Sequence, residues 1–320
     1  MNEINAKMVY SLTENEAYEL LEGIRWANGV VCPKCGSVGK KHYRIQSKPS
    51  TKSKNRARIG LYKCADCRKT FTVKVGTIFE DSHIPLNIWL AAIYEMNAAK
   101  NGISAHELHR KLDVTYKTAW FMCHRIRFAM SEKPLGQLLG IIEADETYVG
   151  GLEKNKHKNK RTKGSKGRNA SVKTPVFALV ERGGELRAGA VPSVNAANLR
   201  AIMREQITPD SHIMTDDFGA YSSLVEDFLH HDLVNHSRKQ YVRGEAHVNT
   251  LEGWFSLLKR GINGTYHHVS PQHLDRYIGE FQFRYNARKI KDGDRAIKAM
   301  KGAEGKRLVY RDAIKKKGLK

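Results

Sequence analysis

Three carboxylates that lie far apart along the chain stand at positions from which a fold could bring them together. Asp145 and Asp216 each follow a short apolar run, and Glu252 opens an amphipathic helical pattern. Carboxylate oxygens are among the ligands that Mg²⁺ prefers in proteins. Because the whole chain carries a net charge of +22, an acidic cluster within it needs a reason of its own. Holding divalent cations against the phosphates of a polyanion would supply that reason.

The residues that precede Asp145 predict the strand that carries it. Residues 138–142 are apolar and lead directly into an acidic run. The period-two alternation of a strand places Glu143 and Asp145 on one face, and Ala144 and Glu146 on the other. Asp145 is therefore expected to share its side of a sheet with a second carboxylate.

The rest of this region alternates between strand and helix patterns. A hairpin is predicted over residues 174–191, a helix over residues 195–207 and a short buried strand over residues 212–215 that leads into Asp216 and Asp217. A further helix and a short strand near residues 233–234 precede a last helix that begins around His247. The predicted order is strand, strand, strand, helix, strand, helix, strand, helix.

The last helix has two chemically different faces. Helical spacing collects one polar stripe, which consists of Asn249, Glu252, Ser256 and Lys259. It collects one apolar stripe as well, which consists of Leu251, Trp254 or Phe255, Leu258 and Ile262. If the apolar stripe packs on the sheet, Glu252 points away from the core and toward a substrate.

Four of the five cysteines form two closely spaced pairs, Cys32 with Cys35 and Cys64 with Cys67. In a reducing compartment this spacing predicts four tetrahedral Zn²⁺ ligands rather than disulfides. Four unrelated cysteines are the alternative. A strand-like pattern over residues 59–73 around the second pair predicts a zinc ribbon whose metal is structural.

Residues 81–130 have a helical character. A capped helix over residues 104–112, a tight connection and a helix from Tyr116 to Met130 give the outline of a helix-turn-helix. The second helix would offer a duplex Tyr116, Lys117, His124, Arg125 and Arg127. An ordinary helical hairpin would show the same pattern, but the positive charge of the last helix favours DNA binding.

The composition also points to a polyanionic partner. The chain has 55 lysines and arginines against 33 acids, with a pI near 9.8, so attraction to nucleic acid is expected at low salt. A solubilising surface, a ribosomal protein or a membrane-surface protein are the alternatives. No apolar run approaches the roughly 18 to 20 residues that span a bilayer, and the N-terminus lacks a signal-peptide pattern. We therefore expect a cytoplasmic protein with no membrane partner.

Two further segments are strongly basic. Residues 153–174 are rich in lysine and arginine and contain no acid after Glu153, which predicts a mobile loop that clamps the DNA backbone. Lys158, Lys160 and Arg161 are its expected DNA contacts, although a merely solvated insertion is the alternative. Residues 291–320 are predicted to form a basic C-terminal tail with a solvated, lysine-rich end at Lys315–Lys317.

Three runs, Asp145–Gly151, Thr215–Tyr221 and above all His247–His267, resemble the DDE transposases of bacterial insertion sequences. The similarity is to the group with an N-terminal zinc ribbon and a ribonuclease H-like catalytic domain, and it covers nearly the whole chain. Asp216 and Glu252 are separated by 35 residues, a spacing familiar in this class, and Lys259 follows Glu252 by seven residues.

The resemblance implies a multidomain architecture. Its parts are a zinc ribbon over residues 1–80, a helix-turn-helix-like DNA-binding region over residues 81–133, and an α/β ribonuclease H-like domain with a mixed sheet over residues 134–290. The predicted tail follows the catalytic domain. Structural Zn²⁺ and catalytic Mg²⁺ or Mn²⁺ are the implied cofactors.

The implied activity is that of a transposase that binds the terminal inverted repeats of its element, cleaves DNA and joins it to a target. Asp145, Asp216 and Glu252 would hold two metal ions, while Lys259 and Arg260 would contact DNA. The implied partners are double-stranded DNA and further copies of the chain, at least a dimer, because two DNA ends must be joined. Such a protein would be found at the bacterial nucleoid.

Alternatives remain open at this stage. Asn249, one turn before Glu252, could take the third catalytic position or share it, and Asp217 could substitute for Asp216. The chain has 33 acids, so three solvated surface acids are the simple alternative. At the level of function, a catalytically inactive, transposase-derived DNA-binding regulator competes with the enzyme, and a metal-dependent nuclease such as a junction resolvase is a third option.

Overall fold

The computed structural model describes residues 4–39, 42–45, 59–151, 157–161, 173–222, 224–234 and 247–314. The chain divides into two compact units, one formed by residues 1–131 together with 290–320 and the other by residues 132–289. Across the described residues, no helix is both long enough and apolar enough to cross a bilayer.

Ten α-helices and eight strands are present in the described residues. The helices are α1 (Ala6–Ser11), α2 (Glu14–Arg25), α3 (Leu86–Ala98), α4 (Ala105–Leu112), α5 (Tyr116–Met130), α6 (Ala196–Gln206), α7 (Asn249–Arg260), α8 (Pro271–Asn286), α9 (Asp292–Lys301) and α10 (Tyr310–Ile314). The strands are β1 (His42–Arg44), β2 (Tyr62–Cys64), β3 (Thr70–Phe71), β4 (Ile141–Val149), β5 (Thr174–Glu181), β6 (Leu186–Ala190), β7 (His212–Asp216) and β8 (His230–Val234).

The first unit opens with two helices that precede the ribbon, and the sequence analysis did not predict either. Helix α2 begins at a capping box in which Thr13 and Glu16 each bond to the other's backbone. The ribbon itself is an antiparallel sheet of β1, β2 and β3 in that order. Trp26, at the end of α2, packs edge-on against Tyr62 and Phe71 of this sheet, so the leading helices and the ribbon share one small core.

The C-terminal segment corrects one prediction. Residues 291–320 were expected to form a basic tail, but the described part contains α9 and α10 and belongs to the first unit. Helix α9 is amphipathic and buries Ala296, Ala299 and Met300, whereas Lys301 at its end is exposed. A basic, exposed face on a packed helix is a pattern that composition alone does not distinguish from a tail. The predicted solvated end, Lys315–Lys317, lies outside the described residues. The predicted division of the first unit at residue 80 stays a prediction.

The second unit is built on a five-stranded mixed sheet in the order β6, β5, β4, β7, β8. Strands β4, β5 and β6 pair antiparallel, whereas β4 with β7 and β7 with β8 pair parallel. This is the strand order of a ribonuclease H-like domain, and together with the four-cysteine ribbon and the helices it confirms the predicted fold class.

Both faces of this sheet are covered, and the alternation along β4 sorts its side chains between them. Ile142 and Ala144 lie in the core formed with α6, which also contains Leu199 and Met203. The opposite face packs on α7 and α8 through residues that include the whole predicted apolar stripe, Leu251, Trp254, Phe255, Leu258 and Ile262. Glu143 and Asp145 therefore point toward α7, as the period-two pattern predicts.

One predicted element is absent from the described part of this unit. The sequence indicated a helix between β7 and β8, whereas the chain forms two short 3₁₀ turns, at Gly219–Tyr221 and Leu224–Glu226. Tyr221, Leu224 and Phe228 have the spacing of a helix and are all buried in the α6 core. The 3₁₀ turns bring the same side chains inward, so hydrophobic spacing alone could not distinguish the two conformations.

Candidate active site and metal centres

The three predicted carboxylates line one open cavity beside the central strands β4 and β7, where β7 ends. Its volume is about 1030 Å³, and Asp145, Asp216 and Glu252 all contribute to its wall. Asp145 comes from the middle of β4, Asp216 from the end of the neighbouring parallel strand β7, and Glu252 from the first turn of α7. Adjacent parallel strands and a helix packed on them deliver acids from three remote parts of the chain to one place.

A tighter group within the cavity contains an acid that the sequence analysis did not propose. One carboxylate oxygen each from Asp145, Glu146 and Asp216 lie within 4.8 Å of one another. Although Glu146 starts on the opposite face of β4, its carboxylate reaches the same group. Tyr221, which is fully buried, donates a hydrogen bond of 2.7 Å from its hydroxyl to Glu146 Oε2. The only sequence signal for Glu146 is its position next to Asp145.

The electrostatics of the group are those of crowded like charges. Burial raises the pKa of Asp145 from 3.8 to about 8, and the charges of Glu146, Asp216 and Glu252 add to that shift. The Glu146 amide donates a hydrogen bond of 2.7 Å to Asp145 Oδ1, and this bond partly offsets the rise in the pKa of Asp145. A cation held between these acids would favour the ionised form of each carboxylate.

These residues fit a divalent cation of the magnesium type. The donors are carboxylate oxygens alone, they converge from three elements, and their mutual repulsion is what a bound cation would relieve. Asp216 is also held in place, because its Oδ1 accepts a hydrogen bond of 3.1 Å from the Phe218 amide. Asp145, Glu146, Asp216 and Glu252 are the residues that could supply ligands.

The polar stripe of α7 faces this cavity for most of its length. Glu252, Ser256 and Lys259 line it, whereas Asn249, the exposed first residue of the helix, is not among the described lining residues. The cavity therefore favours Glu252 over Asn249 for the third position. Asp217 also lines the wall but is exposed beyond the end of β7.

Basic side chains lie at the same cavity. Lys259 and Lys173 both contribute to its wall. Burial lowers the pKa of Lys259, and the Asp145 carboxylate opposes that shift. Arg260, the other predicted contact on α7, is exposed and donates a hydrogen bond of 3.3 Å to Ser256 Oγ. The cavity thus combines acids that can hold a cation with ammonium groups that can meet a phosphate.

The basic segment 153–174 lies mostly outside the described residues. Lys158–Lys160 form a short 3₁₀ turn, and Arg161 follows it. Lys158 and Arg161 are exposed, whereas the side chain of Lys160 is not among those described. The predicted loop and its three DNA contacts therefore stay predictions. Lys173, near the end of that segment, is the described residue that reaches the cavity.

The four predicted zinc ligands converge in the ribbon. The sulfur atoms of Cys32, Cys35, Cys64 and Cys67 lie within 4.8 Å of one another. Cys32 and Cys67 have their Sγ atoms 3.7 Å apart, and so do Cys35 and Cys64. Four sulfurs placed about 2.3 Å from one zinc ion would lie about 3.8 Å from each other. The cluster therefore fits a closed, structural zinc site.

Local bonds in the ribbon favour the thiolate form of Cys64. The Ser37 hydroxyl lies 3.4 Å from Cys64 Sγ, and this bond together with the backbone amides of Asp66 and Cys67 lowers the pKa of Cys64 to about 6. A lowered pKa places the thiolate, which is the form that binds metal, within the neutral range. The spacing of the two cysteine pairs was enough to identify this site.

The helix-turn-helix prediction needs a correction in its DNA contacts. Helices α4 and α5 are present and are joined by Asp113 in a left-handed conformation. Arg125 and Arg127, however, are only 5% and 2% exposed. Arg125 donates from Nε to the Leu308 carbonyl at 2.9 Å, so it holds the returning C-terminal segment instead of facing solvent.

The same helix keeps an exposed N-terminal turn. Lys117 is exposed, with its Nζ 4.7 Å from the centre of the Tyr310 ring. Tyr116 is 45% exposed and stacks on His106 at 4.2 Å. Of the five predicted contacts on α5, Tyr116 and Lys117 have side chains that a DNA duplex could reach, whereas His124, like Arg125 and Arg127, is buried.

Comparison with known proteins agrees with this architecture. Residues 137–286 match the family model of the ISXO2-like transposase domain, and residues 12–70 match that of the transposase zinc-ribbon domain. The two matches cover the mixed-sheet unit and the segment that contains the four cysteines. They are found in the order in which the sequence analysis placed a ribbon and a catalytic domain.

Two relatives extend the comparison. An uncharacterized protein in transposable element ISH50 of Halobacterium salinarum is 32% identical over 300 residues, which cover 90% of this chain and 96% of that protein. An uncharacterized transposase-like protein of Haemophilus influenzae is 30% identical over 101 residues, which cover 32% of this chain and 80% of that protein. These matches show that the chain belongs to the ISXO2-like transposase family, and the ribbon, the mixed sheet and the acids of its cavity agree with that assignment.

Proposed function

We propose that this protein is an active transposase that binds the terminal inverted repeats of an insertion sequence and catalyses metal-dependent DNA cleavage and strand transfer. The observation that carries the proposal is the convergence of Asp145, Asp216 and Glu252 on one cavity that is also lined by Lys173 and Lys259. Family membership gives the class of protein, and the cavity supports the chemistry.

The roles of the acids follow from their positions. Asp145 belongs to the tight group with Glu146 and Asp216, and it is also close enough to Glu252 for that charge to raise its pKa, so it would serve two cation sites. Bound divalent cations would activate the attacking oxygen, stabilise the leaving oxygen and neutralise the phosphodiester. Asp216 and Glu252 would each complete one site, and Glu146 adds a fourth carboxylate held by Tyr221.

The positive groups have a different task. Lys259 is one helical turn beyond Ser256 on the cavity side of α7, where its ammonium group can hold a phosphate next to the acids. Lys173 can do the same from the start of β5. By drawing the DNA backbone to the acids, these side chains would orient the scissile phosphate for in-line attack by water and then by a 3′-hydroxyl.

Recognition of the element ends is assigned to the first unit. Its exposed candidates are Lys117 and Tyr116 on the first turn of α5, which is the part of a recognition helix that reaches base edges. The zinc ribbon would add backbone contacts. Two ends must be brought together before they can be joined, so the working form would contain at least two copies of the chain and act on chromosomal DNA at the nucleoid.

The test is an assay of cleavage and joining with DNA that carries the ends of the encoding element, in the presence of Mg²⁺ or Mn²⁺. We expect the native protein to nick and join, and Asp145→Asn, Asp216→Asn and Glu252→Gln to bind the same DNA without cutting it. Asp210→Asn, an exposed acid of the same unit outside the cavity, is the matched control and should keep full activity.

The outcomes separate the proposal from its competitor. If the native protein binds the ends but neither cuts nor joins them with either metal, the chain is a DNA-binding regulator derived from a transposase. If Glu252→Gln stays active while Asn249→Ala is inactive, the third catalytic position belongs to Asn249.

A further inference from the structure

A buried carboxylate that the proposed chemistry does not use lies two residues before Asp145 on the same face of β4. Glu143 is 0% exposed. Removing a charged carboxylate from water costs several kcal/mol unless other groups satisfy it. Its partners therefore indicate why it is there, and they lie almost entirely at the beginning of α7.

Helix α7 begins without a side-chain cap of its own. Val248 occupies the N-cap position and makes no capping hydrogen bond. Glu143 takes over that function from the neighbouring strand, because Oε2 accepts hydrogen bonds from the amides of Thr250 at 2.9 Å and Leu251 at 3.2 Å. The Thr250 hydroxyl donates a third, of 2.8 Å, to Oε1. A negative charge at this end of a helix is also favoured by the helix dipole.

Arg182, the first residue after β5, completes this set of hydrogen bonds. Its Nε donates to Glu143 Oε1 at 3.0 Å, and its Nη2 donates to the His247 carbonyl at 2.9 Å. The first turn of α7 is thus bonded to the Glu143 carboxylate directly, and His247, two residues before the helix, is bonded to it through Arg182. We call Glu143, Arg182, His247 and Thr250 the Glu143 clamp.

We propose that Glu143 is a positioning residue that fixes α7 on β4 and thereby sets the separation between Asp145 and Glu252. Asp145 follows Glu143 by one strand repeat, and Glu252 follows Thr250 by about half a helical turn. The clamp joins the two elements that carry these acids, at points two residues before each acid. This inference rests on the proposed function, in which Asp145 and Glu252 hold catalytic cations.

The first test compares Glu143→Gln with Glu280→Gln by calorimetric titration of each folded variant with Mn²⁺. Glu280 is a matched control, since it is also 0% exposed and is bonded to Arg284 and to the Tyr266 hydroxyl, but on α8. Glutamine at 143 keeps the shape, loses the charge and turns an amide group toward Arg182. We expect Glu143→Gln to weaken Mn²⁺ binding by about 10- to 100-fold, as loss of a residue that orients metal ligands does, and Glu280→Gln to stay within about twofold of the native protein.

A purely structural role would give a different result. In that case both variants would lower the melting temperature while Mn²⁺ affinity stayed at the native value, and the proposal would be overturned. A double-mutant cycle sharpens the distinction. If Glu143 acts through Glu252, adding Glu143→Gln to Glu252→Gln should weaken Mn²⁺ binding by less than about twofold further, whereas fully additive losses would contradict the inference.

A milder variant covers the case in which Glu143→Gln does not fold. Thr250→Val removes only the hydroxyl donor of the clamp and should weaken Mn²⁺ binding by about threefold, whereas unchanged affinity would refute the proposal.

Failure of the proposed function is recognised separately. If Asp145→Asn binds Mn²⁺ as tightly as the native protein, the proposed cation site is wrong. If Asp145→Asn loses Mn²⁺ binding while the variants of the Glu143 clamp keep it, only this inference is overturned.

Discussion

The pKa of Asp145 gives a prediction about proton release that can be worked out in advance. In the metal-free protein this carboxyl has a pKa of about 8, so at pH 7 it is about 90% protonated. A cation can bind only to the ionised form, and its binding must therefore expel that proton. We expect release of about 0.9 proton from Asp145 at pH 7 and about 0.5 at pH 8.

The same linkage sets the pH dependence of affinity. Between pH 8 and pH 6 the ionised fraction of Asp145 falls from about one half to about one hundredth, so the apparent affinity for Mn²⁺ should fall by about 50-fold. Calorimetric titration in two buffers with different ionisation enthalpies measures both quantities. Glu146→Gln removes the largest charge contribution to the shift, so it should reduce proton release at pH 7.

The raised pKa of Asp145 should make the stability of the metal-free protein fall as pH rises, whereas an acid whose pKa is lowered by folding makes stability rise with pH. The folded state keeps the Asp145 proton up to about pH 8, whereas the unfolded chain loses it near 3.8. Unfolding therefore releases a proton in this window, and stability falls as pH rises by at most about 1.4 kcal/mol per unit. Cation binding that is independent of pH and releases no proton would refute this account of the site.

Four other predictions concern the first unit. Cys64→Ser should lose zinc, measured by elemental analysis, and end recognition, while the 132–289 unit keeps its melting transition; retained stoichiometric zinc would contradict this. Arg125→Ala leaves the Leu308 and Glu80 carbonyls without their buried donor, so it should cost about 2 to 5 kcal/mol of unfolding free energy. Lys117→Ala should leave stability unchanged and lower the salt slope of DNA binding by about 0.9, and an unchanged slope would remove Lys117 from the interface. A chain ending at residue 289 should lose the melting transition of the first unit, because α9 and α10 are part of it, and a native-like transition would show that they are dispensable.

Two kinds of sequence signal carried the successful predictions. The cysteine pairs identified the zinc site because metal coordination fixes both residue type and spacing. The alternation along β4 and the two stripes of α7 predicted the cavity acids Asp145 and Glu252, because burial of the apolar face fixes the direction in which the polar face points. Asp145 and Glu252 could be assigned from such local patterns before any contact between them was known.

Other features depend on contacts between residues remote in sequence. Arg125 carries charge on a helix that looks exposed until the segment around Leu308 returns and bonds to it. Glu143 looks like one more surface acid until the start of α7 is placed over it. In both cases the side chain is explained by a partner more than a hundred residues away, which no local periodicity indicates.

The central claim is that Asp145, Asp216 and Glu252 line one pocket that binds divalent cations, and locating a bound cation tests it most directly. Crystals of the protein soaked with Mn²⁺ should show anomalous scattering between Asp145 and Asp216, at about 2.2 Å from carboxylate oxygens. The peak should vanish in Asp145→Asn. Anomalous peaks confined to other surfaces, or a cavity peak that persists without the Asp145 carboxylate, would contradict the account.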